Sequence, residues 1–217
     1  MNSKRYPVFL LPNAVLLPGV ILPVHIFEPR YKRMIADVQE HDGKIAVCWA
    51  RPHENAPVEP CEVACVGTID VRRKYPDGRR DILVTGQARV RVQRFEQEVP
   101  YRTASCETLA MVSMADGEYK KRLNSLKKMF ARWVFVGFND AGRVIHHINP
   151  IRDLDALCNF IVHYFITDFE TKQAYLEMDS LAEKSAKLFS FVENNAKALE
   201  GHINLLRNPS TNGENIL

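Results

Sequence analysis

Two hydrophobic periods divide the chain near residue 110. Before it, apolar residues come in short runs or alternate with polar ones; after it, they recur every three or four positions. Pro7-Val8-Phe9-Leu10-Leu11 and Val20-Ile21-Leu22-Pro23-Val24-His25-Ile26 predict buried strands. Pro29 suits the first turn of a helix, along which Tyr31, Met34, Ile35 and Val38 form one apolar stripe. Gly43 ends that helix, residues 44–50 read as a strand, and 51–60 is a proline-rich loop. Residues 63–73 form a strand leading into Tyr75-Pro76-Asp77-Gly78. There proline presets φ, and Gly78 takes the left-handed position that closes a hairpin. Residues 82–85 and 88–95 return as strands, with Gly86 between them as a bulge or tight bend. In Arg89-Val90-Arg91-Val92 the alternation sets arginines on a solvated face and valines on the other. Residues 103–109 are the last strand.

From Asp116 the spacing is helical. Tyr119, Leu123, Leu126, Phe130 and Trp133 make one stripe, with Lys120, Lys121, Lys127 and Lys128 outside it. Residues 137–142 read as a loop. A second helix starts near Asp153, with Leu154, Leu157, Cys158, Ile161 and Phe165 on its apolar face. A short one covers 172–177. Ser180-Leu181-Ala182-Glu183 has the capping-box pattern and opens the longest helix. That helix turns Leu181, Leu188, Val192, Leu199, Ile203 and Leu206 inward until Pro209 stops it. The predicted organisation is a β domain with one helix over 1–110, a helical bundle over 111–207 and a flexible tail over 208–217.

Composition sharpens this division. Ten of the 12 prolines precede residue 107, so the first part cannot be built of long helices. The 46% apolar and 25% charged residues are ordinary for a globular protein. The net charge of +3 lies wholly within residues 1–110, too little for a dedicated nucleic-acid sleeve. Five scattered cysteines in apolar surroundings predict reduced, buried thiols and a cytoplasmic protein. Lys4-Arg5 before the apolar stretch from Val8 to Ile26 mimics a signal peptide, but Pro12, Pro18 and Pro23 break any helix there. No other window approaches the roughly 18 apolar residues of a membrane span, so no membrane partner is expected.

The run Leu16-Leu17-Pro18-Gly19-Val20-Ile21-Leu22-Pro23-Val24-His25-Ile26-Phe27-Glu28-Pro29-Arg30-Tyr31 resembles the opening signature of the Lon protease N-terminal domain family, above all its stand-alone bacterial members. Glu62-Val63-Ala64-Cys65-Val66-Gly67-Thr68-Ile69 agrees in order and spacing. So do Asp77-Gly78 and Ile82-Leu83-Val84-Thr85-Gly86-Gln87-Ala88-Arg89-Val90-Arg91-Val92. The resemblance implies an α+β fold, a PUA-like antiparallel β-barrel with one helix followed by an α-helical bundle. It also implies recognition of polypeptide substrates. The resemblance covers no ATPase or peptidase domain, so neither activity is expected of these residues.

Candidate chemistry is sparse. Residues 137–142 have the GxxxxG spacing of a phosphate loop, but Arg143 and Val144 stand where Lys and Ser/Thr are needed. Cys61 and Cys65, with His53 nearby, suggest zinc only if the strand breaks. Four residues of strand span about 13 Å, whereas thiolates sharing one zinc lie within about 5 Å. His146-His147 reads as part of a polar loop, and His163 as a satisfied core histidine. Ser125-Leu126-Lys127-Lys128 spells S-x-x-K on a solvated helix face, where an unpaired hydroxyl is idle. No cofactor and no catalytic residue are expected. Glu28 and Arg30 are placed to pair or to cap the helix that follows.

Two binding readings remain open. In one, the chain is a non-catalytic module for unfolded or extended polypeptide, an adaptor serving a protease or chaperone in quality control, with Phe27, Tyr31 and Tyr101 as aromatic anchors, though each of the three could equally be a core side chain. In the other it binds RNA through a basic hairpin system containing Arg72, Arg73, Lys74, Arg79, Arg80, Arg89 and Arg91. Asp70, Asp77, Asp81, Glu96 and Glu98 interrupt that basic run, which disfavours nucleic acid.

Overall fold

The computed structural model describes residues 3–52 and 58–207, with side chains given up to residue 201. His53, Pro209 and the rest of the 208–217 tail lie outside what is described, as do the side chains of the inward positions Ile203 and Leu206. Among the described residues the strands are β1 (Ser3–Leu11), β2 (Ile21–Ile26), β3 (Lys44–Arg51), β4 (Glu59–Pro60), β5 (Val63–Lys74), β6 (Arg80–Gln97) and β7 (Thr103–Thr108). The helices are α1 (Pro29–Gln39), α2 (Asp116–Gly137), α3 (Ala141–Ile148), α4 (Leu154–Phe165), α5 (Phe169–Glu177) and α6 (Leu181–Arg207). None of them is long and apolar enough to cross a membrane. The fold is mixed α+β with a mostly antiparallel sheet, and it divides into two units: Met1–Val112 with Cys158–Ser180, and Ser113–Leu157 with Leu181–Leu217.

In the first unit the ladder β1–β7–β6–β5–β3 closes on itself, because β1 also pairs with β3. Closure leaves these strands few free edges. Every pairing is antiparallel except β1–β3, where Val8 lies opposite Ala46 in parallel register. Two parallel strands need a crossover, and β2 with α1 supplies it. The stripe read from the sequence is the buried face of α1: Tyr31, Met34, Ile35 and Val38.

The two segments predicted around Gly86 are one strand. β6 pairs with β2 over its first part, with β7 over its second, and with β5 along most of its length. Opposite β5, Val66 faces Ala88 and Gly67 faces Gly86, so Gln87 is the extra residue of a bulge. Glycine is required at 86 because the chain entering β2 runs against it. Gly19 N donates to Gly86 O and Gly86 N to Val20 O, each at 2.9 Å, and a Cβ at 86 would lie 2.2 Å from Leu17 O. At the β5–β6 turn Gly78 has φ +84° and donates its N–H to Tyr75 O.

Residues 158–180, predicted with the helical part, group with the barrel. The reason is a set of polar ties that hydrophobic periodicity cannot reveal. Asn159 Nδ2 donates to Pro18 O (3.0 Å) and Gln173 Nε2 to Val63 O (2.9 Å). Arg51 grips Glu170 through two nitrogens at 2.8 and 3.1 Å. Arg89 is the strongest tie and departs most from expectation: it is only 3% exposed. Its guanidinium donates to Leu176 O, Met178 O and Ala110 O and pairs with Asp179 at 3.1 Å. It therefore caps the carbonyl end of α5 rather than facing water.

In the second unit α2 buries Leu126, Phe130 and Val134, and the Trp133 ring meets Phe130, Phe138 and Phe191 edge-on. Lys184 of α6 has no exposed side-chain surface and pairs with Asp155 at 2.7 Å. Ala141-Gly142, read as the end of a loop, and His146-His147, read as part of a polar loop, both fall in helix α3, with Ala141 and Ile148 buried. Glycine, asparagine and paired histidines hid a helix that tertiary burial decides.

Candidate functional site

β2 pairs with β6 alone, so its other edge has no strand beside it among the described residues. Between that edge, the end of β1 and the start of α1 lies a cleft of about 320 Å³. Phe9 and Leu11 come from β1, Leu22, Val24 and His25 from β2, and Tyr31 from α1; Phe27 stands on the connection. In β2, Ile21, Pro23 and His25 are exposed, whereas Leu22 and Val24 are half-buried.

Phe27 and Tyr31 meet at this cleft in different roles. Tyr31 is core: 5% exposed, its ring edge-on to Phe9 at 4.5 Å and its hydroxyl donating to Leu10 O at 3.2 Å. Burial pushes its pKa up. Phe27 is 61% exposed. Glu28 and Arg30 pair at 2.8 Å, and Glu28 occupies the N-cap of α1 without a side-chain cap bond. Tyr101 lines a separate pocket of about 580 Å³ with Arg5, Asp37 and Val38, and its hydroxyl donates to Asp37 Oδ2 at 3.0 Å.

The register of β2 on β6 creates a cluster that the sequence does not suggest. It sets His25 opposite Asp81, and His25 Nδ1 lies 2.6 Å from Asp81 Oδ1. The Tyr75 hydroxyl donates to Asp81 Oδ2 at 2.7 Å. The His25 ring stacks on Phe27 at 6.3 Å and meets Tyr75 edge-on at 5.8 Å. These hydrogen bonds hold the Asp81 carboxyl below the usual carboxylate range. Arg73 and Arg79 lie over the Tyr75 ring at 4.7 and 5.2 Å.

The basic residues do not form one face. Arg72 pairs with Asp70, Arg79 with Asp77, and Arg80 donates to Lys32 O. Arg89 is buried, and Arg91 lines a different pocket together with Glu59, Glu62 and Glu177. Lys74 and Arg73 remain at the hairpin tip.

The residues weighed for chemistry are dispersed. The five cysteines are all buried. Burial pushes Cys48 up to about 12 and Cys61 and Cys106 to about 11, which keeps them as neutral thiols. No group of three metal-ligating side chains occurs among the described residues. Ser125 is exposed on α2. His163 is half-buried, and its Nδ1 has no hydrogen-bond partner, unlike the satisfied histidine expected.

Residues 5–194 match the family profile of the ATP-dependent protease La (LON) substrate-binding domain. The Lon protease of Flavobacterium johnsoniae is 24% identical over 209 residues, covering 92% of this chain and 26% of that protein. Lon protease 2 of Syntrophobacter fumaroxidans is 26% identical over 178 residues, covering 81% and 22%. The chain thus spans about a quarter of the length of these relatives. Among solved structures, the N-terminal domain of the Mycobacterium avium complex Lon protease superposes with a TM-score of 0.68 at 17% identity, covering 88% of this chain and 98% of that one. A Lon N-terminal domain protein from Xanthomonas campestris gives 0.61 at 16%, covering 86% and 98%. At these identities the structural likeness speaks for the fold.

Proposed function

This chain belongs to the Lon substrate-binding domain family, and on that premise we propose that it binds extended or unfolded polypeptide at the cleft beside β2, without doing chemistry itself. The observation that carries this reading is Phe27, a large apolar side chain left 61% exposed at the mouth of an apolar-walled cleft. Next to it, β2 has an edge with no strand partner among the described residues. Unfolded polypeptide offers the complements of both: apolar side chains and unpaired backbone groups. Tyr31 supports the cleft from within, and Tyr101 belongs to another surface. The neutral buried thiols fit a binding role in a reducing cytoplasm, where the chain would act as an adaptor for a protease or chaperone.

A cleft open to many sequences cannot be shape-matched to one, and its ligand must be ordered on binding. Affinity should be micromolar or weaker, about −8 kcal/mol or less favourable. Fluorescence anisotropy with a labelled unfolded protein and a labelled single-stranded RNA, across a salt series, tests the reading. Salt-tolerant polypeptide binding that weakens in Phe27→Ala supports it. RNA binding with a steep salt slope, and none to polypeptide, overturns it.

A further inference from the structure

We infer that the client segment joins the sheet as a strand added to the free edge of β2, with apolar residues at alternate positions and an acidic residue at the end lying beside Ile26. This rests on the polypeptide reading of the same cleft and says how the segment is held.

The backbone argument comes first. β2 continues the sheet beyond the first part of β6, from Ile21 opposite Thr85 to Ile26 opposite Arg80, and nothing described pairs with its other edge. A strand edge carries N–H and C=O groups at fixed spacing, and an extended chain matches that spacing whatever its sequence. Pro23 interrupts the donors midway along the edge. That shortens any ladder and disfavours flat pairing between two copies of β2. It fits brief capture of a client.

The side chains then set the pattern. Leu22 and Val24 point to the half-buried side, and Pro23 and His25 to the exposed side. Alternate residues of an added strand would therefore meet Leu22 and Val24 inside the cleft, and those between them would face water.

Charge fixes the end. Ile26 lies beside the β5–β6 turn, because it is opposite Arg80, which is opposite Lys74. Lys32, Arg73, Lys74, Arg79 and Arg80 gather there, against Asp77 and Asp81. Asp77 is held by Arg79, and Asp81 by His25 and Tyr75. Arg73 stands opposite Asp81 in the β5–β6 register and acts on that carboxylate, whereas Lys74 makes no ion pair among the described residues. Glu28, which also lines the cleft at this end, is paired with Arg30, so a client carboxylate meets a net positive charge there and a client lysine is repelled.

The test uses the full chain and a labelled synthetic peptide of alternating valine and serine ending in two aspartates. Two further versions carry N-methyl groups on one or the other alternate set of amides. Only one set can face β2, so one version should lose about tenfold or more in affinity while the other stays near the parent. Replacing the aspartates by lysines should weaken binding several-fold in low salt, and the difference should collapse in high salt. Equal binding of both methylated peptides overturns strand addition and leaves the polypeptide reading intact, provided unfolded protein still binds. Equal binding of the aspartate and lysine peptides overturns the charge assignment. Binding of neither peptides nor unfolded protein overturns the underlying reading. A dimer in sedimentation that Val24→Pro abolishes would make the edge an interface between copies and overturn the inference.

Discussion

Arg89 donates from Nη1 to the Met178 carbonyl oxygen at 2.6 Å, joining a barrel strand to the last turn of a helix 89 residues further along the chain. The same guanidinium satisfies Leu176 O and Ala110 O and pairs with Asp179. Removing it strands several acceptors away from water. Arg89→Leu should therefore destabilise the protein by about 3 kcal/mol or more. Arg72→Leu, which breaks an exposed pair with Asp70, should change stability by less than about 1 kcal/mol. Urea unfolding midpoints of the two variants check the contrast.

Gly86 and Gly142 make a second contrast. A Cβ at 86 would stand 2.2 Å from Leu17 O and 2.9 Å from Leu17 C, both backbone atoms, so the chain entering β2 must move. Gly86→Ala should cost about 2 kcal/mol or more, and should also disturb polypeptide binding by shifting β2. A Cβ at 142, in α3, meets nothing within 4 Å. Gly142→Ala should be neutral or stabilising by up to about 1 kcal/mol, because alanine is the better helix former. Thermal unfolding of the two variants separates them.

The sequence discloses what local periodicity controls. The α1 stripe and the Gly78 turn are legible because each depends on residues within one turn or one helix. The closed ladder is legible only through the family resemblance of 16–31, 62–69 and 77–92. The His25–Asp81–Tyr75 cluster is not legible at all. His25 and Asp81 lie 56 positions apart and meet only through the β2–β6 register. Arg89 misleads for the same reason: alternation places it away from the valines, but α5 covers that face. Helix α3 misleads in the opposite sense, since its residues look like a loop until Ala141 and Ile148 are seen to be buried. Of the three aromatic residues proposed as anchors, each could by sequence equally be core, and the structure exposes Phe27 while burying Tyr31.

That distinction is itself testable. Phe27 is mostly exposed, so Phe27→Ala should leave stability within about 0.5 kcal/mol of the parent while weakening binding of unfolded polypeptide. Tyr31→Ala empties a core position against Phe9 and should cost about 3–5 kcal/mol, whatever it does to binding. Unfolding curves read beside anisotropy titrations separate them. A stable Tyr31→Ala variant would contradict the packing described.

His163 sets a pH dependence with a definite sign. Burial, and then the nearby Lys172, push its pKa down to about 4 from an ordinary value of 6.5. The Lys172 ammonium donates to the His163 carbonyl oxygen, so a second positive charge on the ring would sit close to the first. Between these two values the unfolded chain binds a proton at this residue and the folded protein does not. Its contribution to stability is therefore present in full above about pH 6.5, falls as pH drops towards 4, and levels off below that. His163→Gln removes the titration without adding charge. Urea midpoints measured between pH 7.5 and 4.5 should fall less steeply in the variant than in the parent, so the difference between the two curves shifts in the variant's favour towards acid. Parallel curves would mean that His163 takes up its proton equally well in both states.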